Sequence, residues 1–166
     1  MTVAEDLEKI ALQEQTLVLP RFDHESAWQI GLRLRGLAVE RNLALVIDVR
    51  RLGEQMFYCA LPGTTPNNAD WARRKGNVVA HFHRSSYAMG LEMEQKKTDL
   101  VERYGLPFRE YAAHGGGFPL RVAVVGVVGS VTVSGLPQRD DHEFIVEGLC
   151  LHTGQNFEAL RLAAAQ

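Results

Sequence analysis

The segment from His114 to His142, HGGGFPLRVAVVGVVGSVTVSGLPQRDDH, limits what this chain can fold into more than any other stretch. Three consecutive glycines, Gly115 to Gly117, remove every Cβ from a turn, so backbone amides can converge and a ligand or second chain can approach closely. From Pro119 to Ser134 the residues are mostly valine with spaced glycines, the pattern of a buried hairpin in which Gly126 and Gly129 permit a bend or a close contact. Ser134-Gly135-Leu136-Pro137-Gln138 then breaks the strand, and Asp140, Asp141 and His142 put two carboxylates and an imidazole at the start of a helix. A functional site is expected where these three parts meet.

Hydrophobic spacing sets out the remaining elements. Val3, Leu7, Ile10, Ala11 and Glu14 fall at helical spacing between Val3 and Gln15, and Thr16 to Leu19 reads as a short strand stopped by Pro20. Asp23 suits the N-cap of a helix reaching Arg41, with Ala27, Ile30, Leu34, Leu37 and Ala38 on its buried stripe and Trp28 expected in the core or at an interface. Leu43 to Val49 and Met56 to Leu61 form a hairpin, inside which Asp48 needs an edge position or a partner such as Arg50. Thr65 and Pro66 open the next helix, and Ser85 or Ser86 caps another that is expected to run to Tyr104 before Gly105 and Pro107 stop it. Phe108 to Ala113 approach the glycine turn as a short strand or in extended form, and Pro137 opens the last long helix, which ends at Gly154. This order is neither the regular alternation of a doubly wound sheet nor an all-β pattern. It predicts an α+β domain spanning 1–166, a mostly antiparallel sheet with helices packed against it.

The formal net charge of −2, with both signs interspersed, argues against a nucleic-acid partner. Cys59 and Cys150 have no metal-like spacing and read as buried thiols. The first residues lack the basic and apolar regions of a signal peptide, and no apolar run has the length of a membrane span, so a soluble cytoplasmic protein is expected.

Four chemistries compete for the site. His114 with the glycines is like the oxyanion loop of an esterase, but no G-x-S-x-G elbow accompanies it, since Ser130 lies in G-S-V-T and Ser134 in V-S-G. His81, His83, His114, His142, His152, Asp140 and Asp141 have no metal-ligand spacing, and adjacent Asp141 and His142 cannot both face inward from a regular helix, so no metal site is expected. Glycine amides helped by Arg84, Arg74 or Lys75 would suit a carboxylate or phosphate. A flat apolar cofactor such as haem, held near Phe118 by a His, Tyr or Met, is the fourth.

The His114 to His142 stretch resembles the glycine-rich core of the haem-degrading (GlcG/HbpS-like) domain family, in its uncharacterised bacterial and fungal branch. Trp71-Ala72-Arg73-Arg74-Lys75-Gly76-Asn77 and Arg84-Ser85-Ser86 are similar to the same branch, and the resemblance covers nearly the whole chain. It implies a profilin-like fold with a five-stranded antiparallel sheet between helices, assembly into homo-oligomers, and haem or a related tetrapyrrole as a ligand in some members. It also implies a pocket made of Gly115 to Gly117, Ser134, Gly135 and Asp140 to His142, lined by Trp71, Lys75 and Arg84. A ligand-binding module is the leading expectation: the glycine amides, Arg84 and Lys75 hold an anion, and Asp141 and His142 orient it. A structural or interaction oligomer without a small-molecule site is the alternative. An enzyme acting on a bound tetrapyrrole would need an oxidant that nothing in the chain supplies.

Overall fold

A computed structural model describes residues 2–164. In chain order the elements are α1 (Val3–Thr16), β1 (Val18–Leu19), α2 (His24–Glu40), β2 (Val46–Arg51), β3 (Glu54–Ala60), α3 (Pro66–Phe82), α4 (Ser86–Gln95), α5 (Leu100–Tyr104), β4 (Gly117–Val122), β5 (Gly126–Ser134), α6 (Gln138–Thr153) and α7 (Phe157–Leu160). The five strands form one sheet in the order β1-β4-β5-β2-β3. Among the described residues only β1 with β4, at one edge, is parallel; the other neighbours are antiparallel. The α+β architecture expected from the element order is therefore present.

Alternation along the central strands decides how the helices pack. Ile47, Val49, Phe57, Phe118, Leu120, Val131 and Val133 share one face and join Ala27, Ile30, Leu34 and Ala38 of α2 and Ile145 and Leu149 of α6 in the main core. Successive side chains point to opposite faces, so Ser130, Thr132 and Ser134 of β5 turn toward α3. Asp48 shares that polar face, opposite Thr132. It is 3% exposed and accepts from Arg50 Nε at 2.8 Å and Gln55 Nε2 at 3.2 Å, which gives this buried carboxylate the partner its position demanded.

One local expectation needs correction, and another, the core or interface position of Trp28, is narrowed. The helix expected from Ser86 to Tyr104 is two helices: Lys97 adopts φ 53°, and the Asp99 carboxylate accepts from Glu102 N–H at 2.8 Å, capping a fresh start at α5. Asp99 is exposed and caps the new helix at the same time. Trp28 is not a core residue. It is 51% exposed and rests edge-on against Phe57, with ring centroids 5.3 Å apart.

Candidate functional site

A cleft of about 260 Å³ opens where the start of α3, the turn before β4 and the start of α6 converge. Thr65 precedes α3 and donates its N–H to the Asn68 side chain at 2.9 Å, which fixes the first turn. From there Trp71 and Lys75, four residues apart and so on one face of the helix, both reach the cleft. Pro137 opens α6 and brings Gln138 and Asp141 to the opposite wall, while the end of β5 contributes Ser134 and Gly135.

The floor is a buried ion pair. Lys75 Nζ lies 2.8 Å from Asp141 Oδ2 and donates to the Val133 carbonyl at 3.2 Å, and the other Asp141 oxygen accepts from Leu136 N–H at 3.0 Å. Lys75 is 4% and Asp141 1% exposed. Burial pushes the lysine down and the carboxyl up from their ordinary ranges, and attraction between the two opposes both shifts.

Gly116 explains how this pair forms. Its φ of 120° is unfavourable for a residue with a side chain, and an added Cβ would meet Val133 O at 2.6 Å, Lys75 Nζ at 2.7 Å and Asp141 Cβ at 3.0 Å. The missing side chain is the space in which lysine and aspartate meet. The neighbouring amides serve the fold as well: Gly115 N–H donates to Gln138 Oε1 at 3.2 Å, and Gly117 N–H to Ser86 Oγ at 2.9 Å. Ser86 in turn donates to the His114 carbonyl. The amides of Gly115 and Gly117 are thus committed to side chains of α6 and α4, whereas the anion-capture expectation had them aimed at a ligand.

His114 forms the rim. Its ring stands edge-on to Trp71 with centroids 5.1 Å apart, and Arg74 is stacked between Trp71 and Phe108 at 4.4 and 4.3 Å while donating to the Phe108 carbonyl. Burial, followed by the charges of Lys75 and Arg74, lowers the His114 pKa and keeps the imidazole neutral. On its far side His114 also borders an apolar slot of about 270 Å³ lined by Met93, Phe108 and Tyr111.

Of the residues singled out from sequence, Trp71, Lys75, His114, Ser134 and Asp141 meet at this cleft, with Gly115 to Gly117 packed against it. Two do not. The left-handed His83 (φ 56°) ends α3, and Arg84 then pairs with Glu92 of α4, away from the cleft. His142 is fully buried and bonded through Nε2 to Gln13 Oε1 at 2.8 Å, between Tyr87 and Phe118. Asp141 and His142 both face inward because α6 is covered on two sides, by the glycine turn and sheet end and by α1 with α4. Burial holds the His142 pKa at about 3. The linings missed from sequence are Asn67, Asn68 and Gln138; the two asparagines at a helix start were visible, yet such residues serve as caps more often than as ligand contacts. Among the described residues no cluster of three or more His, Cys, Asp or Glu could hold a metal ion.

Residues 22–150 match the family described as haem degrading protein HbpS-like. A UPF0303 protein of Burkholderia thailandensis is 59% identical over 163 residues, 98% of this chain and 99% of its own length. One of Paraburkholderia phymatum is 56% identical over 165 residues, 99% of this chain and all of its own. Among solved structures, the Ybr137w protein is similar with a TM-score of 0.82 at 25% identity, covering 89% of this chain and 88% of that one. HbpS gives 0.64 at 18% identity over 81% and 92% of the two chains, and the PduOC:heme complex 0.68 at 13% over 78% and 93%. These last two likenesses carry the fold alone.

Proposed function

The chain belongs to the haem degrading protein HbpS-like family, and from that premise we propose that it is a ligand-binding module whose cleft takes a carboxylate-bearing small molecule, a tetrapyrrole being the family-level candidate. The observation that carries this is the chemistry of the lining. Asn67, Asn68 and Gln138 supply carboxamides, Ser134 a hydroxyl, and Trp71 with His114 an aromatic corner of two edge-on rings, above an ion pair that cancels its own charge. Such a surface favours a polar group at the edge of a larger, partly apolar body, for which the slot beyond His114 offers room.

The residues present suit the organic part of a tetrapyrrole better than its iron. An iron-ligating histidine ordinarily has its second ring nitrogen held by a hydrogen bond, and the buried His114 Nδ1 has no such partner among the described residues. Haemin and iron-free protoporphyrin are therefore expected to bind with similar affinity, following Trp71 fluorescence in a Trp28→Phe background, and Gln138→Leu is expected to weaken both. No saturable binding of either, or of small carboxylates such as acetate, would refute the module.

A second reading, self-association without a small-molecule site, draws support from another surface. Trp28, Leu32 and Val39 are 51%, 46% and 52% exposed along α2, beside β3, whose outer edge is unpaired in the sheet. Light scattering on the wild type and on Trp28→Glu/Leu32→Glu tests it: a larger assembly dissolved by the substitutions supports it, and a monomeric wild type removes it. Among the described residues no helix is long and apolar enough to cross a membrane.

A further inference from the structure

At the opposite end of α3 a second cavity, again about 260 Å³, lies between the last turns of that helix and the sheet, lined by Arg50, Leu52, Asn77, Ala80, His83 and the β5 residues Val127 to Ser130. Its walls are mostly apolar, from Val127, Val128, Leu52 and Ala80. Its polar groups converge on one point. Arg50 and Ser130 are directly opposite one another in the β2–β5 register, which brings neighbouring Cβ atoms within about 5 Å. Asp48 Oδ2 accepts from Arg50 Nε at 2.8 Å and so fixes the guanidinium, while neither Nη group makes a hydrogen bond among the described residues. Ser130 is 6% exposed, and its hydroxyl likewise has no hydrogen-bond partner there. Gly76 of α3 contributes no side chain: a Cβ would stand 3.8 Å from Ser130 Oγ, so the helix leaves the hydroxyl uncovered.

We infer that this cavity is a binding site, separate from the first cleft, for a monocarboxylate with a compact apolar body. The end-on pair of Nη groups matches the planar, bidentate geometry of a carboxylate, and the Ser130 hydroxyl can add a third contact. Charge selects against a dianion. The buried Asp48 carboxylate already balances Arg50, so the site is near neutral before binding and a phosphate would face Asp48 with surplus negative charge. The apolar body of the ligand rests on Val127 and Val128, which a phosphate or sulfate could not use.

The test is a ¹H–¹⁵N NMR titration of the full chain with benzoate, inorganic phosphate serving as the competitor. Benzoate should shift the amides of Val127 to Ser130 and of His83 saturably, with a dissociation constant on the order of 1 mM. Arg50→Gln should weaken binding by about tenfold or more, the size of a lost charge-assisted hydrogen bond. Because that substitution also removes the cation beside Asp48 and leaves it only Gln55, Ala80→Leu provides a second arm. Ala80 is exposed on α3, so a leucine there should fill the mouth of the cavity and abolish the shifts while leaving the urea midpoint unchanged. The inference is overturned by an absence of saturable shifts in this segment, by shifts confined to His114 and Ser134, by wild-type affinity in Ala80→Leu, or by phosphate displacing benzoate at equal concentration.

Discussion

Removing one member of the Lys75–Asp141 pair should cost far more than removing both. In Lys75→Met the Asp141 carboxylate keeps Leu136 N–H on one oxygen and loses its only cation on the other, at a position 1% exposed. An uncompensated buried charge of this kind costs about 3–5 kcal/mol. Asp141→Leu strands the Lys75 ammonium, whose remaining bond is to the Val133 carbonyl at 3.2 Å, and a loss of similar size follows. Lys75→Met/Asp141→Leu leaves no buried charge, and its stability should return to within about 1–2 kcal/mol of wild type, because a desolvated ion pair roughly breaks even against apolar residues of similar volume. Urea unfolding at pH 7, with slopes compared to confirm that the unfolded states match, gives the three differences and a coupling energy of at least about 3 kcal/mol. A double variant that loses the sum of the two single losses would refute the reasoning, since additivity would mean that the pair never stabilised one another's charge.

Other consequences are open to measurement. His142, with a folded pKa of about 3 against an ordinary 6.5, binds its proton more readily when unfolded, so its contribution is complete above pH 6.5 and is lost as pH falls toward 3. Stability should drop by about 1.4 kcal/mol per pH unit through that window, and His142→Gln should flatten the slope; burial raises Glu14 and Glu143, which act in the opposite sense, so the comparison of variant with wild type isolates the histidine. Ser86→Ala removes both the acceptor of Gly117 N–H and the donor to the His114 carbonyl, and should cost about 1–3 kcal/mol in urea unfolding. Gly116→Ala should lose at least about 2 kcal/mol through overpacking and an unfavourable φ, with Asp141 displaced from Lys75; a wild-type melting temperature would contradict the close approach drawn at that residue.

Elements with a strong local signature were legible, and relations across the fold were not. The Asp23 cap follows from its side-chain acceptor, the Pro66 helix start and the Gly105 and Gly154 stops from one residue's backbone preference, and the hairpin from a run of valines. Trp71, Lys75, Ser134 and Asp141, singled out from the residues and the family resemblance, line one cleft because the glycine turn lets α3 and α6 close on one another. Gln13 and His142 show what sequence conceals. Each is polar and each sits on a helix, yet both are 0% exposed, joined by a bond across 129 positions while Gln13 also donates to the Leu160 carbonyl at 2.9 Å. Arg84 fails for a related reason. Its neighbours Ser85 and Ser86 do point inward, but the left-handed turn at His83 and the pairing with Glu92 take the guanidinium elsewhere.

The two faces of β5 explain why the clefts arise where they do. Toward α2 and α6 the strand offers Val131 and Val133, both 0% exposed, and the contact there is dry, apolar packing. Toward α3 it offers Ser130, Thr132 and Ser134, and β2 adds Asp48 and Arg50 on the same side. If the only task of α3 were to cover the sheet, valines on this face would stabilise it more, since each buried hydroxyl or charge needs a partner to offset its desolvation. In the middle of the helix the partners are internal: Lys75 takes Asp141 and the Val133 carbonyl, and Gly76 lets the backbone lie close to Thr132. At the two ends the helix diverges from the strand, and there Ser134 and Ser130 open onto clefts along with groups that retain bonding capacity. A polar strand face beneath one helix thus yields a carboxamide-lined cleft at the helix start and an arginine-bearing one at its end, and ligand chemistry should differ between them accordingly.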